Sequence, residues 1–480
     1  MSVLQNLQPA NVFKFFEEIC AIPHGSENME PIANYCINFA KERNLEYYTD
    51  DMHNVIIVKE GTEGYENSPA IIVQGHLDMV CEKTADRDID FLTDGLEIYV
   101  DGDKVRAKGT TLGGDNGIAV AMALAILDSN EIAHPRLEAV FTVDEETGLY
   151  GAEAIDVSML KAKMFLNLDS EDECVITVSC AGGITAEGTI PVVREEVAGE
   201  KVKVTVDGLL GGHSGIEINQ GRGNATVLLA RLLCAAAKKT QLNVVSLVGG
   251  RKDNAIPKEA SAEIIVADVA AFEEAANKVA AELKDEFKTS DPSVNVTVEK
   301  LGAATENALN LESTTKAISF ALLAPNGIIA MSADIEGLVE TSLNLGVYET
   351  TETDIVYVSG LRSSIESAKW ALVDRFEAMV NMVGGKVEFT GNYPGWAYMK
   401  DSKLRETAIE VYKQHYGKEP VVEAIHAGLE CGMFSEKIDG LDCISIGPTL
   451  KDVHTVDESM DIPSVQRTWE VVLDILKALK

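Results

Sequence analysis

The chain has 480 residues, which at roughly 150 residues per domain allows about three domains or two large ones. Apolar residues make up 46% and charged residues 25%, an ordinary globular balance that excludes wholesale disorder and low-complexity fibres. With 41 basic against 77 acidic residues the formal charge is -36, which repels phosphate backbones and anionic membrane surfaces and argues against nucleic acid or membrane as a partner. The amino terminus, MSVLQNLQPANVFKFF, lacks the basic start and apolar run of a signal peptide, and no uninterrupted apolar span of ~18 residues follows. A cytoplasmic protein is expected, and eight cysteines without a CxxC pair suit reduced thiols.

Over the first part of the chain, apolar strand-like runs alternate with amphipathic stretches. Residues 11–20 and 29–42 have helical periodicity, while 54–59, 70–74, 137–143 and 164–168 read as short, almost wholly apolar strands. Such strands with helices between them predict an α/β layer buried on both faces, with 117–128 as one covering helix. After Asp169 glycines punctuate the chain, and two stretches share one order of elements. Over 203–287 and again over 294–390 the pattern is strand, helix, strand, strand, helix, which suggests an internally duplicated α+β unit. Beyond a turn at Asn392, Pro394 and Gly395 the chain returns to its earlier style. The expected fold is α/β: one domain, a mixed sheet flanked by helices over 1–184 and 392–480, interrupted by an α+β domain over 185–391.

Acidic and histidine residues gather where these strands end. IIVQGHLD runs into His76 and Asp78, AVFTVDEE into Asp144, Glu145 and Glu146, and MFLNLDSED into Asp169, while TLGGDNG sets Asp115 in a glycine turn opening a helix. In a parallel sheet the carboxyl ends of strands share one edge, where α/β proteins place their sites. Taken singly, each residue has a duller account as a turn former, helix cap, core histidine or solvated acidic loop. Their conjunction points to metal, because carboxylates crowded in a low-dielectric cleft repel one another unless a cation neutralises them. Oxygen and nitrogen donors without cysteine suit zinc, manganese or cobalt.

The segments AIPHGSENMEPI, QGHLDMVCEK, GTTLGGDNGIAVA, TVDEETGLYGA, NLDSED, GGHSG, HAGLECG and IGPTLKDVHTVDESM carry a resemblance that spans nearly the whole sequence. The chain resembles the co-catalytic zinc peptidases that include aminoacylases, carboxypeptidase G, tripeptidase T and the carnosinases, and within them the bacterial aminoacyl-histidine (Xaa-His) dipeptidases. The resemblance implies a zinc-binding α/β catalytic domain interrupted by a lid domain. It also implies two divalent metals, most simply zinc with manganese or cobalt as alternatives, one held by His76 and Asp169, the other by Glu146 and His454, with Asp115 bridging. Asp78 would orient the His76 imidazole, and Glu145 would be the general base acting on a metal-bridged hydroxide. His213 in GGHSG would donate to the oxyanion from the lid, in its own chain or across a homodimer. By the same resemblance Asn254 and Arg362 would grip a substrate carboxylate from the lid, and Glu430 would receive its amino group.

The implied activity is metal-dependent hydrolysis of dipeptides, preferentially Xaa-His including carnosine. A broader dipeptidase or an N-acyl amino acid amidohydrolase would use the same metal chemistry, and a noncatalytic metal-stabilised binding protein is the alternative from another class. Glu145 argues against the last, since a structural site needs no base beside its ligands. GGHSGI fails the nucleophile-elbow pattern at Ile216, and neither HExxH nor GxxxxGK[ST] occurs.

Overall fold

In the computed structural model, which describes residues 2–480, the chain divides into two compact units. The first runs to Cys180 and resumes over Tyr398–Ala424 and Leu429–Lys480; the second comprises Ala181–Ala397 and Ile425–Gly428. Among the described residues no helix is long and apolar enough to cross a membrane. All eight cysteines are free.

The first unit is built on an eight-stranded sheet in the order Glu46–Thr49, Val55–Lys59, Leu137–Thr142, Ile71–His76, Met164–Asn167, Asp442–Ser445, Val175–Cys180, Val421–Ile425. The four strands from Leu137–Thr142 to Asp442–Ser445 run parallel, and every residue in them is buried. Burial on both faces is why they are near-continuous apolar runs rather than alternating ones. Helix Gly114–Asp128 is buried from Asn116 to Leu127, hence its lack of a polar face; it packs on strand Ile71–His76 and helix Ala10–Cys20. The packing leaves no room for a side chain at Gly75, where a Cβ would lie 2.4 Å from Asn116 Oδ1 and 2.7 Å from the Ala119 Cβ. Helix Ala10–Cys20 instead buries one stripe, Val12, Phe13, Phe15, Phe16 and Ile19. A separate antiparallel sheet of Leu450–Lys451, Ser459–Asp461, Lys104–Ala107 and Ile98–Asp101 is not apparent in the sequence pattern, because its strands are only two to four residues long.

The second unit has a nine-stranded antiparallel sheet, and its pairing corrects the boundaries of the expected repeat. Strand Asn295–Leu309 does not open a second copy; it pairs along its length with Arg194–Asp207 and closes the first. One half is therefore Arg194–Asp207, helix Ala225–Ala237, Leu242–Gly250, Ala260–Val266, helix Val269–Glu286 and Asn295–Leu309. The other begins earlier, at Gly182–Pro191, and continues through helix Leu311–Leu323, Val339–Thr350, Asp354–Ser363, helix Glu366–Met382 and Lys386–Tyr393. Apart from the ninth strand, Gly327–Met331, which pairs Val339–Thr350, each half is β-α-β-β-α-β with its fourth strand at one edge beside its first, and the two meet where Leu242–Gly250 pairs Val339–Thr350. One half is thus inserted within the other, an arrangement that a linear scan for repeats cannot register. Side chains from both halves, including Leu229, Leu233, Phe272, Phe320, Tyr348, Tyr357 and Phe376, form one core.

Candidate metal centre and active site

Register decides which side chains meet in the first unit. His76 lies opposite Thr142, and Gln74 opposite Asn167, so the three strands end together and release the 76–78, 144–146 and 167–169 segments at one edge. Asp115 reaches the same edge from the first turn of the buried helix, and His454 from the loop between Leu450–Lys451 and Ser459–Asp461.

Asp115 turns one oxygen toward each imidazole: Oδ1 lies 3.2 Å from His76 Nε2 and Oδ2 lies 3.1 Å from His454 Nε2. Asp169 Oδ1 stands 3.4 Å from His76 Nε2 on one side, and Glu146 Oε1 stands 3.0 Å from His454 Nε2 on the other. One donor atom each of His76, Asp115 and Glu146 lies within 4.8 Å of the other two. Hydrogen bonds accepted by Asp115 and then Glu146 push the His454 imidazole up to about 11. Burial alone would lower His76, yet Asp169, Asp115 and Asp78 hold it well above its usual range. A pocket that raises both imidazoles above their usual range is one that favours positive charge, and two imidazoles with three carboxylates are the donors a pair of divalent cations takes. The residues fit the metals.

Glu145 sits beside this cluster, its Oε2 4.0 Å from His76 Nε2. Burial pushes its carboxyl well above the ordinary range, against the pull of His76 and with Asp169, Glu430 and Glu146 adding to the rise. Asp78 does more than face the imidazole. Its Oδ1 accepts from the Glu145 amide at 3.1 Å and its Oδ2 from the Glu146 amide at 3.2 Å and from Ser26 Oγ at 2.9 Å, while Oδ1 is 3.4 Å from His76 Nδ1. Burial would raise the Asp78 carboxyl, but these bonds, led by His76, keep it low. Glu430 is wholly buried in the same unit: one carboxylate oxygen accepts from Gln74 Nε2 and from Thr142 Oγ1, and the other has no hydrogen-bond partner. Burial pushes it up to about 7.

His213, Asn254 and Arg362 belong to the second unit. His213 Nδ1 accepts from the Gly215 amide at 3.1 Å and the Ile216 amide at 3.3 Å, so the neutral ring carries its proton on Nε2 and presents a donor there. Burial, followed by the Arg362 charge, lowers its pKa and keeps it neutral. Asp291, fully buried, braces both ends of this loop by accepting from Leu210 N and Gly223 N, each at 2.8 Å. Asn254 is exposed and accepts the Ser214 amide at 2.8 Å through its backbone carbonyl. Arg362 Nη1 donates to Tyr393 Oη at 2.8 Å.

Residues 72–478 match peptidase family M20/M25/M40. The chain belongs to this family. Among curated relatives, the cytosol non-specific dipeptidase of Escherichia coli (strain K12) is 38% identical over 100% of this chain and 99% of its own length. Among solved structures, the aminoacylhistidine dipeptidase of Vibrio alginolyticus is 37% identical with a TM-score of 0.95, covering 99% of this chain and 98% of that one. Aminopeptidase PepT of Bacillus cereus shares the M20 fold at a TM-score of 0.57 and 15% identity, over 98% of this chain and 99% of its own.

Several residues that the sequence reading did not single out support the M20 site. Asn116 accepts the His76 amide on Oδ1 at 3.2 Å and donates to the Leu168 carbonyl at 3.0 Å, tying two strand ends together. Gln74 and Asn167 join side chains at 2.6 Å beneath the cluster. Glu458 accepts four backbone amides around Asp115. The available signals were adjacency, Asn116 following Asp115 and Glu458 lying in the same motif as His454.

Proposed function

We propose that this chain is a metal-dependent dipeptidase that hydrolyses Xaa-His dipeptides, carnosine among them, in the cytoplasm. The observation that carries the reading is the division of Asp115 between two imidazole–carboxylate pairs with a spare carboxylate, Glu145, alongside. In this reading His76 and Asp169 would hold one cation and Glu146 and His454 the other, with Asp115 offering one oxygen to each. Two bound divalent cations, most simply zinc with manganese or cobalt as substitutes, supply Lewis acidity and acidify a water. Glu145 takes the proton of the attacking water and delivers it to the leaving amine, a task suited to a carboxylate whose proton affinity burial raises. Asp78 holds the turn bearing Glu145 and Glu146. His213 donates a hydrogen bond from Nε2–H to the carbonyl oxygen as charge develops there, and its tautomer is fixed by its own loop before substrate arrives. Arg362 and Asn254 take the terminal carboxylate, and Glu430 the free amine. The interrupting unit acts as the lid, within one chain or across a homodimer.

The two relatives at 37–38% identity bear names that differ in breadth, one non-specific and one aminoacylhistidine. The His preference rests on the structural likeness and on the shared branch motifs. Turnover of carnosine, Ala-His, Ala-Ala and an N-acyl amino acid should be measured with parent protein, after chelation, and after zinc is restored. Turnover of Ala-His well above Ala-Ala that vanishes with chelator and returns with zinc is expected. Equal rates for the two dipeptides would overturn the His preference, and chelator-insensitive or absent turnover would overturn the enzyme reading.

A further inference from the structure

Before helix Gly114–Asp128 the chain makes a tight turn in which Gly113 takes φ 66, and the amides of Leu112, Gly113, Gly114 and Asp115 converge on one point. Convergent amides of this kind form a seat for an anion. The chain fills the seat with its own carboxylate. Glu458 Oε2 accepts from Leu112 N at 2.7 Å and Gly113 N at 3.2 Å, and Oε1 accepts from Gly114 N at 2.8 Å and Asp115 N at 3.4 Å. Glu458 is 3% exposed.

This is more than a helix cap. Asp115 (φ -85, ψ 104) and Asn116 (φ -118, ψ 24) depart from helical dihedrals, so the direction of the Asp115 side chain is not set by the helix that follows. It is set by the turn that Glu458 grips. Glu458 also stands on the loop that carries His454, where its own amide donates to the Thr455 carbonyl at 3.2 Å. That loop therefore meets Asp115 twice, through the Glu458 carboxylate at the backbone and through His454 Nε2 at the side chain, 3.1 Å from Oδ2.

We infer that Glu458 is a positioning residue of the metal centre: by seating in the amide turn it fixes the separation of Asp115 and His454, and with it the affinity for the cation these two share with Glu146. The inference rests on the ligand assignment proposed above. Glu458→Gln keeps the shape but offers one acceptor oxygen, and sets an amide N–H2 against backbone N–H donors. Metal-free protein should be titrated with Co2+, read by its visible absorption, and with Zn2+ against a chromophoric chelator. Parent protein should take up two equivalents; in Glu458→Gln the equivalent that His454→Ala abolishes should lose roughly 10–100-fold in affinity, the range for groups that orient ligands, while the other loses markedly less. Gly114→Ala, whose Cβ would lie 3.2 Å from Glu458 Oε1, disturbs the same contact from the other side and should give a milder version of the same selective loss; it carries the test if the glutamine variant does not fold. Both affinities unchanged in the variants, or an equal loss at both that tracks a drop in the melting temperature of the metal-free protein, overturns the inference in favour of a purely structural cap. His454→Ala is the control: it should lose one equivalent outright, and retention of both would refute the ligand assignment instead.

Discussion

Replacing Asp78 by Asn changes one atom, and the hydrogen bonds around it say where the damage falls. The imidazole is the lesser casualty, because His76 Nδ1 also lies 3.0 Å from the main-chain carbonyl of residue 78, which the substitution leaves in place. The carboxylate's other partners are the Glu145 and Glu146 amides and Ser26 Oγ. The Asn oxygen can keep one amide, and Ser26 can reverse and accept. The remaining amide then faces an N–H2 group in a site that is 1% exposed. One buried donor left unpaired costs ~1–3 kcal/mol, and loss of a charge-assisted bond places the sum near the upper end. Urea unfolding of the metal-free variant should show a loss of about 2–3 kcal/mol. Because the loosened turn carries Glu145 and Glu146, kcat should fall roughly 10–100-fold with both metals still bound. A variant within threefold of parent activity and within 0.5 kcal/mol of its stability, on the order of experimental scatter, would refute the claim that Asp78 holds this turn.

Glu145→Gln should abolish turnover while elemental analysis still finds about two metals per chain, as expected of a base that is not a ligand; loss of metal would show that Glu145 had been misread. His213→Ala should cost ~2.7–4 kcal/mol of transition-state stabilisation, measured as kcat/KM, if Nε2–H donates to the oxyanion. A tenfold loss or less would remove His213 from that role. His426, in the second unit, gives a pH prediction. Burial, then the Arg362 charge, pushes it down to about 4, while Ser342 Oγ is bonded to its Nε2 at 2.7 Å. Unfolded imidazole takes its proton near pH 6.5, so below that pH the unfolded chain binds more protons and stability falls as pH falls toward 4. By pH 5 the histidine's share is ~2 kcal/mol, and His426→Gln should be less pH-sensitive than parent by that amount in denaturant melts at pH 7 and 5. Identical pH slopes would show that His426 does not stay neutral.

How far the sequence speaks depends on the range of the interaction. Runs such as Ile71–His76 and Leu137–Thr142 are legible because double burial demands a continuous apolar stretch, and the residues just beyond them are then candidates by position alone. His454 is not legible by position; its loop joins two strands of two and three residues, too short for any periodicity, and only the motif match singles it out. Glu458 and Asn116 act on backbone amides far away in the chain, and nothing in a local pattern records which amides those are. The repeat expected from the sequence differs in its boundaries from the observed one for a related reason. Element order was correct, but strand Asn295–Leu309 declares its partner only through pairing, with Arg194–Asp207 rather than with the elements that follow it.

That nested arrangement constrains how the second unit can form. Residue 194 pairs with residue 309, and the amide of Asn310 bonds the carbonyl of Val193 at 2.9 Å, so the inner half enters and leaves at adjacent points. Everything between those points can pair within itself as soon as it has been synthesised. Strand Gly182–Pro191 cannot; its partners are Asp354–Ser363 and Lys386–Tyr393, which emerge only after the whole inner half. The outer half must therefore close a loop around a neighbour that is already built. The completed inner half holds the ends of that loop together, so the remaining closure spans a short gap instead of the full intervening chain. A fault in the inner half would be felt first as an unpaired strand Gly182–Pro191, an exposed edge prone to association.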